Sequence, residues 1–279
     1  MIDVHTHISR FAGEDPLDAQ RLIARMDALG IARFVVMPLV GPEFAGHAVS
    51  VEEVLAAYRA HPGRIIPFCN LDPREGCACD ESAVAALLAR YRSMGCRGLG
   101  EFTPNLYVDD ARCMTVYRQC GRLNLPVLFH LSRRIGGTYG VVDGYDLARL
   151  ERVLAACPDT LFIAHAGFWS NMRTDPYARG PIQGPGRAQE LLRRFPNLFG
   201  DLSAGSGYGA LINQPDRGYA FLEAFQDKLL FGTDICHVDQ DAPMVGYLNR
   251  AVVDGCVPQQ AFEKIGSENL ARVLRLQAA

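Results

Sequence analysis

The chain has 279 residues, 49% of them hydrophobic and 21% charged, a composition typical of a globular protein with a large buried core. Its 28 basic and 31 acidic residues give a formal net charge of −3 and form no basic block, so we expect a small-molecule substrate rather than nucleic acid or a membrane surface. Because no apolar run reaches the ~18 residues of a membrane span and the N-terminus lacks a signal-peptide pattern, we expect a cytoplasmic protein.

Eight short runs rich in β-branched and aliphatic residues recur along the chain and are typical of strands. They are Ile2–His7, Arg33–Leu39, Ile65–Leu71, Arg97–Phe102, Val127–Leu131, Leu161–Ala166, Leu198–Leu202 and Leu229–Asp234. Segments with a helical period of apolar residues lie between them, namely Leu17–Leu29, Val51–Arg59, Ser82–Met94, Ala111–Leu123, Tyr145–Ala156, Gln189–Phe195 and Tyr219–Phe225. A further helix is predicted after the last strand, over Pro258–Leu276.

The spacing of the predicted strands indicates the fold. From His7 to Asp234 the strands repeat every ~32 residues, about the length that a strand, a crossover helix and two loops require. Eight such units in a chain of this length predict a (β/α)₈ TIM barrel with an extra C-terminal helix, rather than an open doubly wound sheet. We expect one domain over residues 1–279, with a long loop over Thr174–Gly186 after the sixth strand.

Two other patterns limit the possible cofactors. No glycine-rich phosphate loop follows any predicted strand, so the sequence does not indicate a nucleotide cofactor. Nine cysteines are scattered along the chain, an odd number that fits reduced thiols better than a disulfide framework. Cys77 and Cys79 form the one cluster, which lacks the second pair of a structural zinc site and is interpreted as a loop.

Polar residues stand in the otherwise apolar strands. His5 and His7 are two apart on the first predicted strand, so both imidazoles can share one face and bind one cation. Further polar residues occur near the C-terminal ends of the fourth, fifth, sixth and eighth strands, namely Glu101, His130, His165 and Asp234. Because these strand ends form the active face of a parallel barrel, and because burial of polar groups without partners is costly, the six residues are a candidate metal site.

The motifs around these residues resemble the metal-dependent amidohydrolase superfamily, in its amidohydrolase-related branch. The resemblance is carried by His5-Thr6-His7, Val127-Leu128-Phe129-His130, Ile163-Ala164-His165-Ala166-Gly167, Phe231-Gly232-Thr233-Asp234 and the terminal segment 266–274. Gly100-Glu101 is similar to the glutamate motif of TatD-type deoxyribonucleases, although Phe102-Thr103-Pro104 departs from that pattern. The branch contains hydrolases, lactonases, decarboxylases and hydratases, so the resemblance implies the scaffold more closely than the substrate.

The resemblance also implies roles for the individual residues. His5, His7 and Asp234 would be ligands of the more buried ion, and His130 and His165 would hold a second ion. In one-metal members His130 would instead complete the first site and His165 would act on the substrate. Relatives often place a carboxylated lysine at the fourth strand. This chain has Glu101 there, as a ligand or a catalytic group. The expected cofactor is a divalent metal, Zn²⁺ first, with one or two ions.

A metal ion would determine the chemistry. Bound Zn²⁺ lowers the pKa of its water to about 7 and polarises a carbonyl or phosphoryl oxygen, which predicts hydrolysis of an ester, lactone, amide or phosphoester. Asp234 is the expected general acid–base. Two alternatives stay open, a one-metal non-oxidative decarboxylase or hydratase and a catalytically inactive metal-binding barrel. Ser203 and Ser206, after the seventh strand, have no neighbouring His–Asp pair in a nucleophile arrangement, so a serine hydrolase is not expected.

Four loop residues are candidate substrate-binding groups. Arg133 and Arg134 follow the fifth strand and suit a carboxylate or phosphate, with a solvated loop charge as the alternative. His237 lies three residues beyond Asp234 and is a substrate contact or a surface residue. Trp169 follows His165 and is an expected aromatic wall of the pocket, with ordinary loop packing as the alternative.

Some polar residues are given non-catalytic roles or no role. His61 precedes Pro62-Gly63 at a predicted helix end and is interpreted as a C-terminal helix charge without a catalytic part. Asp3 shares a strand face with His5 and is interpreted as an acceptor that orients it, or as a barrel hydrogen-bond group. His47 lies in the loop after the second strand without a pattern that assigns it. The sequence does not determine the oligomeric state, and a homo-oligomer is possible.

Overall fold

The computed structural model describes residues 1–76, 80–136, 138–173 and 184–276. Two expectations therefore fall partly or wholly outside it, the loop at Cys77 and Cys79 and all but the last three residues of the predicted loop Thr174–Gly186. Within the described ranges no helix is long and apolar enough to cross a membrane.

Short parallel strands form the centre of the molecule. The described residues contain β1 (Ile2–Thr6), β2 (Arg33–Val36), β3 (Ile65–Pro67), β4 (Leu99–Phe102), β5 (Val127–Phe129), β6 (Leu131–Ser132), β7 (Val141–Val142), β8 (Phe162–Ala164), β9 (Leu198–Asp201) and β10 (Leu229–Leu230). Eight of them match the eight predicted runs, and β6 with β7 is an additional parallel pair beyond β5.

The eight strands close into a barrel. β1, β2 and β3 pair in parallel, and β10, β9, β8, β5 and β4 form a second parallel series. Parallel bridges Cys69–Leu99 and Thr6–Ile235 join the two series, and Val4 N–H donates to the Phe231 carbonyl at 3.0 Å. The predicted (β/α)₈ barrel is confirmed.

Helices follow the barrel strands in the predicted order. They are α1 (Ala19–Ala28), α2 (Val51–Ala60), α3 (Glu81–Ser93), α4 (Ala111–Leu123), α5 (Ala148–Ala156), α6 (Arg187–Arg194), α7 (Ala204–Ile212), α8 (Pro215–Ala224), α9 (Pro243–Val253), α10 (Gln259–Glu263) and α11 (Asn269–Val273). Asp18, Ser50, Asp80 and Asp110 begin α1 to α4, where each side chain accepts a backbone N–H and satisfies the first turn.

Two helices were not predicted, and one was predicted as continuous. α7 contains Gly205, Gly207 and Gly209, whose low helix propensity obscures the helical pattern. α9 begins with Pro243, a residue that suits the first helical turn but that also reads as a loop. The predicted helix Pro258–Leu276 is α10 and α11 joined by a π-helical segment, Lys264–Glu268.

The barrel has two different ends. Apolar side chains of the strands fill its interior together with Leu270, Val273 and Leu274, so the C-terminal helix closes the N-terminal end of the barrel. A larger apolar layer lies between the strands and the surrounding helices. The polar residues lie at the opposite end of the barrel, which is formed by the C-terminal ends of the strands.

Candidate metal centre

His5 and His7 are brought together at the end of β1. Both rings are buried, with 0% and 3% exposure, and their Nε2 atoms lie 3.1 Å apart. The Nδ1 atom of His7 lies 3.1 Å from the Met37 carbonyl, which can only accept, so Nδ1 carries the proton and the Nε2 lone pair faces the centre. His5 is held through its own Nδ1, 2.7 Å from the Asp201 carboxylate.

Asp234 reaches the two histidines from beyond β10. Its oxygen Oδ1 lies 3.2 Å from His5 Nε2 and 3.8 Å from His7 Nε2. Its backbone has φ +59°, in the left-handed region that few non-glycine residues adopt. The His5 carbonyl accepts its N–H at 2.8 Å and Gln240 Nε2 donates to its carbonyl at 2.7 Å, which holds this conformation.

Glu101 lies between the first-strand histidines and two further histidines. Its Oε2 is 3.9 Å from His5 Nε2 and 3.8 Å from His7 Nε2. Its Oε1 is 2.8 Å from His130 Nδ1 and 3.8 Å from His165 Nε2. The pairing of β4 with β5 is irregular between Leu99 and Phe102, where Glu101 stands, and such irregularities re-aim a side chain.

Most of the predicted ligands lie just past the strand ends rather than within the strands. His130 follows β5, His165 follows β8, and Asp234 stands four residues after the end of β10. Gly167 permits the turn after His165, because its φ is +79° and a Cβ there would lie 1.9 Å from the Leu131 carbonyl oxygen. The ligand atoms are thus placed by backbone that has left the regular sheet.

The six residues divide into two groups that suit metal ions. His5, His7 and Asp234 form one, and Glu101, His130 and His165 form the other, each with ligand atoms within 4.8 Å of one another. Imidazole nitrogens with carboxylate oxygens are the donors that Zn²⁺ and similar divalent ions use. The donor set therefore fits a divalent metal ion.

The electrostatics of the centre also favour a cation. Burial lowers the pKa of His5, but Asp234, Asp201 and Glu101 outweigh this effect and raise it to about 10. Burial raises the pKa of Glu101, whereas its hydrogen bond to His130 and the surrounding imidazoles hold it well below its usual range. Carboxylates that stay ionised while they attract a proton onto His5 will also attract a metal ion.

Asp201 is a residue of the centre to which the sequence analysis gave no role. It ends β9, is fully buried, and its Oδ2 lies 2.7 Å from His5 Nδ1 and 2.9 Å from His165 Nδ1. Burial raises the pKa of Asp201, but the two imidazoles outweigh this and hold the pKa well below its usual range. A signal existed, because Asp201 is a polar residue at the end of an apolar strand, as Glu101 is.

Ser203 lies beside a His–Asp pair that no sequence pattern indicated. Ser203 Oγ donates to Asp201 Oδ2 at 2.8 Å and lies 3.0 Å from His165 Nδ1. Ser203 is nevertheless fully buried, and its hydroxyl hydrogen is used by Asp201, so its Oγ is not presented to a substrate as a nucleophile. Ser206 Oγ is also buried and has no hydrogen-bond partner among the described residues.

The two arginines after β5 behave differently. Arg133 donates to the Gly144 carbonyl at 2.9 Å and to Ser170 Oγ at 2.6 Å, and its guanidinium lies 4.2 Å from the Tyr145 ring centroid. These contacts fasten two loops of the active face to each other. Arg134 is exposed in the same loop.

Trp169 and His237 are placed away from the ligand atoms. The Trp169 ring is 3% exposed, packs against Gly200 and donates from Nε1 to the Asp201 carbonyl at 2.7 Å. It is therefore part of the packing behind the centre, which agrees with the loop-packing alternative for this residue rather than with a pocket wall. His237 stacks on Phe11 at 4.6 Å and pairs with Glu14 at the outer edge of the active face.

His61 and Asp3 are also located. His61 ends α2 and precedes β3, at the N-terminal end of the barrel, far along the chain from any ligand. Asp3 accepts from the backbone N–H of His5 at 2.9 Å and from Thr233 Oγ1 at 2.6 Å. It thus fixes the backbone between β1 and the last strand, and its contact with His5 is to the main chain rather than to the ring.

An aromatic rim that no sequence pattern indicated borders the centre beside His130. Tyr139 lies 4.5 Å from the His130 ring and 5.3 Å from Phe44, and His47 contacts both Phe44 and Phe11. Burial, followed by Glu101 and Asp234, raises the pKa of Tyr139 above its usual value, so its phenol stays protonated. A cavity of about 510 Å³, lined in part by Tyr139, adjoins this rim. The sequence could have indicated these aromatic residues, because they lie in loops that follow predicted strands.

The sequence matches a described protein family over nearly its whole length. The amidohydrolase family model matches residues 2–276. A search of curated proteins gives no match.

Solved structures share the fold. An uncharacterized TIM-barrel protein from Bordetella bronchiseptica is 16% identical with a TM-score of 0.68, covering 99% of both chains. A Pseudomonas putida protein provisionally assigned as a 2-pyrone-4,6-dicarboxylic acid hydrolase is 18% identical with a TM-score of 0.66, covering 100% of this chain and 98% of the other. A dihydroxybenzoic acid decarboxylase from Polaromonas, with bound manganese and 2-nitroresorcinol, is 16% identical with a TM-score of 0.64, covering 100% and 97%.

Proposed function

Because the chain belongs to the amidohydrolase family, we propose that it is a metal-dependent hydrolase that uses two divalent ions to cleave an ester, lactone, amide or phosphoester bond of a small molecule. Zn²⁺ is the proposed ion, since three imidazole groups have Nδ1 bonded to other residues and turn Nε2 toward the centre. Manganese is the alternative, because a similar decarboxylase contains it. We propose a cytoplasmic enzyme that acts without nucleic-acid or membrane partners.

One observation supports two ions rather than one. Glu101 directs Oε2 toward His5 and His7 and Oε1 toward His130 and His165. A carboxylate whose two oxygens serve two histidine pairs has the arrangement of a group that bridges adjacent ions. Asp234 repeats the pattern, with Oδ1 toward His5 and Oδ2 3.8 Å from His165.

The protein residues then take distinct parts in hydrolysis. A bound divalent cation would polarise the scissile carbonyl or phosphoryl group and lower the pKa of a water molecule to about 7. The Asp234 side chain is 24% exposed, whereas Glu101 is 6% exposed, so Asp234 is the carboxylate that substrate and water can reach. We assign Asp234 to accept the proton of the water and to return it to the leaving group. Arg134 is the proposed contact for an anionic substrate group.

A one-ion decarboxylase is the second candidate. Structural similarity to a dihydroxybenzoic acid decarboxylase favours it, as does the rim of Phe11, Phe44 and Tyr139, which suits a planar ring. In that reaction one ligand set would hold the ion, and His165 would face the substrate. The third alternative, an inactive metal-binding barrel, gains no support, because both ligand sets are complete.

The test measures turnover as a function of the number of metal equivalents added. Purified protein is stripped with a chelator, reloaded with zero, one or two equivalents of Zn²⁺ or Mn²⁺, and assayed on a panel of esters, lactones, amides and phosphoesters beside dihydroxybenzoates. Hydrolysis that appears only with the second equivalent supports the proposal. Decarboxylation that is complete with one equivalent would replace it with the second candidate, and full hydrolytic activity without metal would reject both.

A further inference from the structure

We propose that Asp201 is a positioning residue that orients one histidine of each ligand set and thereby couples the binding of the two ions. This inference deepens the proposed function and rests on its two ion sites. Asp201 is not a member of either ligand set. It contacts the Nδ1 atoms of two histidines, whose Nε2 atoms face the centre.

The hydrogen bonds of Asp201 fix the tautomers of two ligands. An ionised carboxylate only accepts, so His5 Nδ1, which lies 2.7 Å from its Oδ2, is a donor. His165 Nδ1 lies 2.9 Å from the same oxygen and 3.0 Å from Ser203 Oγ. Because the Ser203 hydroxyl hydrogen goes to Asp201 Oδ2, His165 Nδ1 faces two acceptors and is a donor as well. A neutral imidazole that is protonated at Nδ1 presents its lone pair at Nε2. The Nε2 atoms are the ones that face the centre, where His5 meets Asp234 at 3.2 Å and His165 meets Glu101 at 3.8 Å. Asp201 therefore turns both rings into ligands.

The carboxylate is itself held in place. Ser203 donates from its backbone N–H to Oδ1 and from its Oγ to Oδ2, both at 2.8 Å. Trp169 Nε1 donates to the Asp201 carbonyl and fixes the main chain. Since Asp201 is 0% exposed, no substrate can touch it, and its effect must pass through the histidines.

Coupling follows because one side chain serves both sets. His5 belongs with His7 and Asp234, and His165 belongs with Glu101 and His130. An ion that binds the first set restrains His5, which restrains the Asp201 carboxylate, and the carboxylate then holds His165 ready for the second ion. Since Ser203 already holds the carboxylate, the coupling acts through its shared contacts with the two rings, and a change in this carboxylate should weaken the binding of both ions.

The test compares Asp201→Asn with variants that remove one ligand of a single set. The amide keeps the size of the side chain but removes its negative charge. Its NH₂ must also face either the Ser203 N–H at the Oδ1 position or the two rings at the Oδ2 position, and all of these groups donate. Zn²⁺ titration against a chromophoric chelator should give dissociation constants that rise about 10–100-fold at both sites. His7→Ala and His130→Ala should each weaken mainly one site. Ser203→Ala keeps the carboxylate but removes a hydroxyl that also lies 3.0 Å from His165 Nδ1, so it should weaken mainly the site of His165, and by less than Asp201→Asn does. A change at only one site in Asp201→Asn would overturn the proposal.

A second measurement separates this inference from the proposed function and does not need the variant to fold. Long-range ¹H–¹⁵N correlation spectra of the Zn²⁺-loaded wild-type protein should show His5 and His165 both protonated at Nδ1. The opposite tautomer in either ring would overturn the role of Asp201. If both rings have the expected tautomer but the wild-type protein binds one ion per chain, then the two-ion function fails and the coupling fails with it, while the orientation of both rings by Asp201 stands.

Discussion

The two ends of the barrel differ in what their buried side chains do. At the C-terminal end the interior holds histidines and carboxylates that face one another, whereas at the N-terminal end Leu270, Val273 and Leu274 close it with apolar packing. Burial of charged groups costs free energy unless each is paired, while burial of apolar groups contributes to stability. Substitutions at the first end should therefore change metal binding and turnover, and substitutions at the second should change stability.

The largest effect is expected at Asp234. Asp234→Asn keeps the size of the side chain but removes the charge and the proton acceptor, so turnover should fall by about 10²–10⁴-fold. His5→Ala should also lose bound metal. Elemental analysis beside the activity assay measures both. Normal turnover in Asp234→Asn would mean that another group accepts the proton.

Metal affinity should rise with pH, because the carboxylates around His5 favour its protonated form. In the cation-free centre the pKa of His5 is about 10, so at neutral pH a metal ion must displace its proton. Binding then releases a proton, and affinity should rise with pH by about tenfold per unit below that pKa. Calorimetry in two buffers of different ionisation enthalpy counts the protons released at pH 7 to 8. Release of none would contradict this account of His5.

Glu101→Gln should separate the affinities of the two ligand sets at the C-terminal end of the barrel. The carboxylate lies 2.8 Å from His130 and farther from His5 and His7, so the Glu101–His130–His165 set should lose more affinity, by about 10–100-fold. His5, His7 and Asp234 should still hold one ion. Metal titration with unchanged stoichiometry and affinity would show that Glu101 is not a ligand.

At the other end, Leu270→Ala should lower the free energy of unfolding without a change in metal affinity. Leu270 is fully buried, and truncation of such a leucine costs about 2–5 kcal/mol through lost burial and the cavity left behind. Chemical denaturation measures the loss, and metal titration of the folded variant serves as its control. A weakened metal site in folded Leu270→Ala would show that the two ends are not independent.

The smallest effect is expected for His61→Ala. His61 ends α2 on the N-terminal side, so metal content and turnover should stay at wild-type values, with a stability change within about 0.5 kcal/mol. It is also the control for general effects of histidine removal. Loss of metal in this variant would contradict the placement of the centre.

The sequence predicted the residues that follow a local rule, but it did not predict roles that depend on the packing of distant elements. His5, His130, His165 and Asp234 were found because a polar residue in or just after an apolar strand is costly without a partner. Asp201 carries the same signal, but its role depends on distances to rings from β1 and β8 that no local pattern contains. The strand pattern likewise gave the barrel, because it repeats eight times.

Loop residues and irregular helices could not be predicted in the same way. The direction of Trp169 depends on Gly200 and Phe221, which are distant in sequence, and the anchoring of Arg133 depends on the loop that follows β8. Three glycines in α7 hid a helix that tertiary packing stabilises.

The most direct test of the account is the number of metal ions at the active end. Crystals of Zn²⁺-loaded protein, measured on both sides of the zinc absorption edge, should give two anomalous peaks about 3.5–4 Å apart, with Glu101 between them. His5, His7 and Asp234 should surround one peak, and His130 and His165 the other. A single fully occupied peak with Glu101 unbound, at saturating zinc, would contradict the two-ion hydrolase and favour the one-ion decarboxylase.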